Sequence, residues 1–157
     1  DVYSYMFGSI LAMTNTDVTM SIILAIIVIT IFIIFYNRLF IVTVDENFAR
    51  ASGINVTFYQ FLISFLTALT VVIGMRMMGT LLISSLIIFP AVIAKKFARS
   101  FKGLIIFSAI ISIFCFIIGM FISFLFSLPT GAGIVFINIL TMVTCSIINV
   151  ITSKLKP

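Results

Sequence analysis

The chain has 157 residues, of which 63% are apolar and 8% charged, with nine Lys and Arg against four Asp and Glu and a mean hydropathy of +1.42. A soluble domain of this length cannot hide so much apolar surface, whereas five apolar segments separated by short polar breaks fit a chain that crosses a membrane repeatedly. Histidine is absent and so is any G-x-x-x-x-G-K-[ST] loop, which excludes a self-contained ATPase, and no nucleic-acid partner is expected.

From Asp1 to Asp17 the chain is too short and too punctuated to span. Tyr3, Tyr5, Met6, Phe7, Ile10 and Leu11 can line one side of a short surface helix, with Asn15 or Thr16 capping the span that follows. There is no initiator methionine and no basic n-region, so no signal peptide is visible, and the chain is read as part of a longer membrane protein.

The first span is expected over about residues 18–36. The loop after it, Asn37 to Asn55, carries Phe40, Val44 and Phe48 at helical spacing, an acidic turn from Asp45, and Gly53 as a stop. That pattern predicts a short amphipathic helix at the membrane interface, either an anchor or a partner-binding element.

The run from Phe58 to Ile93 poses the question of span count, because as one helix its 36 residues would reach about 54 Å, against a hydrocarbon core of about 30 Å. Two spans, about 56–75 and 77–93, fit better. Charge supports the split: with further spans at about 104–126 and 134–151, eight of the nine basic residues fall on one side and Arg76 alone on the other. By the positive-inside rule the N-terminal residues lie outside and the tail SKLKP lies in the cytoplasm. Merging the two spans would divide the basic residues between the faces.

Gln60, Ser64, Thr67 and Thr70 share one face of the second span, a face that can line a hydrated path or a helix interface. Arg76 reads as a snorkelling anchor. Hydroxyls and amides such as Ser84, Ser85, Asn138, Thr141 and Thr144 read as hydrogen-bonding glue between helices or to their own backbone. Cys115 and Cys145 read as small buried hydrophobes and not as a disulfide framework. Further on, the turn SLPTGAG joins the last two spans, its glycines allowing unusual backbone and close packing.

The third span runs into Pro90 and then turns basic, with Lys95, Lys96, Arg99 and Lys102 interleaved with Phe97 and Phe101. Attraction to the inner leaflet accounts for the charges but not for the proline. Pro90 is expected to end the span, with a short exposed helix re-forming over about Ala91 to Phe101, suited to docking on a soluble partner. No paired carboxylate, nucleophile with a base, or ligand set with metal spacing is seen, so no enzyme is expected.

Four stretches, DVYSYMFGSILAMTNTDV, ENFARASGINV, ALTVVIGMRMMGTLLISSLIIFPAVIAKKFARS and SLPTGAGIV, together resemble the membrane permeases of bacterial ATP-binding-cassette importers for zinc, manganese or iron, above all those of high-affinity zinc uptake. Vitamin B12 and iron-siderophore permeases are similar in layout but carry a G-P-I-x-F-[IV]-G-L-x-x-P-H pattern where this chain reads GTLLISSLIIFPA, without histidine. The resemblance implies one all-α transmembrane permease domain over residues 1–157, incomplete at its N-terminus and of the vitamin B12 permease-like (type II importer) kind, in a bacterial cytoplasmic membrane. It implies a second permease copy, a cytoplasmic ATPase that uses ATP, an extracytoplasmic metal-binding protein facing residues 1–17 and 127–133, and zinc, manganese or iron as cargo.

Carried over by position, the ATPase-coupling loop of residues 90–102 would use Phe89, Pro90, Ala91, Lys95, Lys96, Phe97, Ala98 and Arg99. The metal ligands of such permeases belong to a preceding half, so none is assigned here, and no cofactor is expected on this chain. The alternatives are a non-energised channel or secondary transporter and a purely structural subunit; secondary carriers usually place ionisable groups near the midplane, which nothing here requires.

Overall fold

The computed structural model describes residues 2, 6, 8 and 10–155, so the expectations for Tyr3, Tyr5 and Phe7 lie outside the described residues, as does the side chain of Leu11. Every extended element among the described residues is helical. After a 3-10 turn at Ile10–Ala12 come α1 (Asn15–Ile34), α2 (Tyr36–Val44), α3 (Glu46–Ala51), α4 (Val56–Met78), α5 (Thr80–Phe97), α6 (Phe101–Phe126) and α7 (Thr130–Leu155). Five of these, α1 and α4 to α7, are long and apolar enough to cross a membrane. The chain divides into two compact units, Met13–Ile73 and Asp1–Ala12 with Gly74–Pro157.

In the first unit α1 is capped one or two residues earlier than expected, at Thr14 and not at Asn15 or Thr16. Thr14 is the N-cap: its Oγ1 accepts from the Asp17 N–H at 3.3 Å while the Asp17 carboxylate accepts from the Thr14 N–H at 3.1 Å, a reciprocal capping box. No residue of α1 is buried, and its apolar side chains are spread over all of its faces.

The expected amphipathic helix is present but broken in two. Asp45 takes extended backbone and its side chain accepts from the Phe48 N–H at 2.9 Å, ending α2 and starting α3. Gly53, at φ 77°, closes α3 as anticipated, with the Ile54 N–H bonded to the Ala49 carbonyl and the Gly53 N–H to that of Arg50, the paired bonds of a Schellman motif. The buried side of these helices is Leu39, Val42 and Ala49, packed on Val56 and Tyr59 of α4, so the stripe of Phe40, Val44 and Phe48 faces outward. Arg38 donates to the Tyr59 hydroxyl at 2.8 Å, tying α2 to α4.

The second unit is organised by α5, α6 and α7, which pack on one another. Gly79, at φ 88°, is the single residue between α4 and α5, so the split of the long apolar run holds with its break three residues beyond the place expected. Only glycine adopts that backbone without strain. A Cβ on Gly8, itself at φ 57°, would lie 2.3 Å from the Met78 carbonyl, so Gly8 lies directly against this break.

The turn between α6 and α7 is shorter than expected, comprising Ser127, in the left-handed region at φ 52°, Leu128 and Pro129. Gly131 and Gly133 lie inside α7 and are buried, so their use is close packing and not unusual backbone. Cys115, Gly119 and Ser123, four residues apart along α6, form a buried seam against α7. A Cβ on Gly119 would meet the Ile134 Cα at 2.5 Å, and one on Gly133 would sit 1.8 Å from the Ser123 Oγ. The Cys115 thiol reaches the Thr141 hydroxyl at 3.5 Å.

Candidate functional site

Pro90 does not end its span. Helix α5 continues unbroken from Thr80 to Phe97, and the separate helix expected over Ala91 to Phe101 does not exist; Phe101 instead opens α6. The reason is burial on both sides of the proline. Leu82, Ile83 and Ser85 before it and Ile93 and Ala94 after it lie in the bundle, and the Pro90 ring is itself fully buried. Proline removes one N–H and leaves the Leu86 carbonyl without its helical partner, a loss tolerated inside a membrane bundle when neighbouring helices hold both halves in place. Leaving the helix at Pro90 would instead expose a whole turn of backbone.

The basic site is therefore a helix junction. Helix α5 ends at Phe97, Ala98 takes extended backbone at φ −78° and ψ 133°, and Arg99 and Ser100 turn the chain into α6. The Ser100 hydroxyl accepts from the Gly103 N–H at 3.1 Å and caps α6. Lys95 and Lys96 occupy the last turn of α5, where cations oppose the partial negative charge of the helix terminus. Phe97 is exposed, as are Lys95, Lys96, Arg99 and Lys102. Ala91 is exposed and Phe89 half-buried on the preceding turns of α5.

These cations are not equivalent. Lys96 donates to the Ser146 hydroxyl of α7, fifty residues away in sequence. Among the described residues, Lys95, Arg99 and Lys102 make no hydrogen bond or ion pair.

The polar face of α4 is not gathered into a site within its unit. Gln60, Ser64, Thr67 and Thr70 are all exposed. Gln60 donates to Glu46, which also pairs with Arg50 at 2.7 Å. Thr67 and Thr70 donate to the carbonyls of Ile63 and Leu66, each at 2.8 Å. The same back-bonding recurs at Ser84, Thr141, Thr144 and Ser146, so among the described residues these hydroxyls donate to their own helices. Among the described residues no cluster of three or more His, Cys, Asp or Glu side chains is placed to hold a metal ion.

Comparison with known proteins now gives this architecture a family. The chain is 34% identical over 135 residues to the manganese import system permease protein ScaB of Streptococcus gordonii, covering 86% of this chain and 49% of that one. It is 35% identical to the high-affinity zinc uptake system membrane protein ZnuB of Haemophilus influenzae, covering 86% of this chain and 52% of that one. Among solved structures it is similar to PsaBC from Streptococcus pneumoniae in complex with Fab, with a TM-score of 0.86 and 31% identity over 92% of this chain and 52% of the other. The chain thus spans about half the length of the relatives it matches, and its fold is that of a multi-pass helical membrane protein. The family model described as the ABC 3 transport family matches residues 1–149, and the chain belongs to that family.

Proposed function

We propose that the chain forms the later spans of a permease that imports a divalent metal ion, zinc or manganese, across a bacterial cytoplasmic membrane. A separate cytoplasmic ATPase drives transport, a second permease copy completes the pore, and an extracytoplasmic binding protein delivers the metal. The observation that carries this reading is the α5–α6 junction: a helix with one side buried in the bundle, ending in an exposed turn with Phe97, Lys95, Arg99 and Lys102 around it. Such a turn offers one aromatic anchor and a ring of cations to a groove on a soluble partner. Because α5 is packed from Leu82 to Ala94, a push on Ala98 to Ser100 moves a rod and not a loose loop, so closure of the ATPase is transmitted to α6 and α7.

Metal selectivity is the open choice within this reading, since the relatives include both manganese and zinc permeases. Expressing the intact permease with its ATPase in cells and following zinc and manganese accumulation separately tests it. One ion should accumulate in an ATPase-dependent manner. Accumulation of neither, or accumulation undiminished when the ATPase is inactivated, would contradict the reading and favour a non-energised transporter.

A further inference from the structure

Lys96 is held differently from the cations around it. Its ammonium, a group that can only donate, points to the Ser146 Oγ, and that hydroxyl spends its own proton on the Met142 carbonyl at 2.7 Å. Back-bonding therefore makes Ser146 a pure acceptor facing a pure donor, so the polarity of the contact is fixed. Lys95, one position earlier and about 100° round the helix, points elsewhere. The contact joins the last turn of α5 to α7 just past its midpoint, immediately beyond the buried pair Ile93 and Ala94.

The geometry points to Lys96 as a positioning residue: it ties the coupling junction to α7 through Ser146, so that movement imposed at Ala98 to Ser100 is passed to the last span, while Lys95, Arg99 and Lys102 bind the partner. This inference rests on the coupling role proposed above and divides it between residues that attach and one that transmits. An untied junction would still dock, but part of the ATPase stroke would be absorbed by splaying α5 away from α7.

The test uses the intact permease with its ATPase in proteoliposomes, reading ATPase association and metal taken up per ATP hydrolysed. Lys96→Met and Ser146→Ala should each leave association at the wild-type level and lower uptake per ATP about three- to tenfold, the range expected for loss of one hydrogen bond. The double variant should be no worse than the worse single variant, because both remove the same contact. Lys96→Arg should retain most of the ratio. If Lys96→Met weakens association as Lys95→Met does while Ser146→Ala is silent, Lys96 is a docking cation and the tie is overturned with the junction intact. Wild-type uptake per ATP in both single variants also overturns it. Unchanged association in a Lys95→Glu/Arg99→Glu variant would instead remove the coupling role beneath the inference.

Discussion

Asn138 is completely buried in α7, where its Nδ2 donates to the Ile134 carbonyl at 3.2 Å and its Oδ1 has no partner among the described residues. An unsatisfied buried acceptor costs about 1–3 kcal/mol, and the single bond the amide makes goes to a backbone carbonyl of its own helix. Asn138→Leu, which keeps the branching at Cγ and the number of side-chain heavy atoms, is therefore expected to leave stability unchanged or raise it, read as the thermal unfolding temperature of the purified protein in detergent. A fall of several degrees would show that the amide oxygen is engaged. Pro90 presents the opposite case: its ring is buried and its missing N–H is already accommodated by the packed helix. Pro90→Ala restores a donor where the Leu86 carbonyl can accept, so insertion should be unaffected; failure to insert would mean the proline shapes the fold and not only the local ladder.

At the scale of elements, the α6–α7 seam sets the tightest constraint. A Cβ on Gly119 would meet the backbone of Ile134, which cannot yield, whereas one on Gly133 would clash chiefly with the side chain of Ser123, which can be removed, leaving a tight approach of 3.1 Å to the Gly119 carbonyl. Gly119→Ala and Gly133→Ala should each destabilise by about 1–3 kcal/mol, the usual range for overpacking. Adding Ser123→Gly should recover most of the loss at Gly133 and none of it at Gly119, with unfolding in detergent as the readout. Equal rescue at both sites would mean that the helices simply move apart.

How much of this was legible in the sequence follows from the range of each signal. Span count, the split near Gly79 and the Gly53 stop came from length, charge placement and turn chemistry, all of which act locally or through the membrane itself. The path through Pro90 departs from the local rule, by which proline ends a helix, because packing against α6 and α7 overrides it. Thr14 and Asp17 carried a capping signature three residues apart that could have been found. The spacing of Cys115, Gly119 and Ser123 was also visible, but its meaning depended on what α7 placed opposite. The Lys96–Ser146 contact, across fifty residues, left no sequence signal.

For the whole molecule, the proposed orientation puts the α5–α6 junction and the α6–α7 turn on opposite membrane faces. In intact cells a membrane-impermeant thiol reagent should label Leu128→Cys from outside and Arg99→Cys only after permeabilisation, with Cys115 and Cys145 replaced beforehand. The reverse pattern would invert the topology and place the basic junction away from any cytoplasmic partner. The most direct measurement of the central claim is the affinity of the ATPase for the intact permease in lipid nanodiscs, comparing wild type with Lys95→Glu/Arg99→Glu after both are shown to insert. The account predicts a fall of at least about tenfold, larger at low salt than at high salt because exposed charges are screened. Equal affinity at every salt concentration would contradict it.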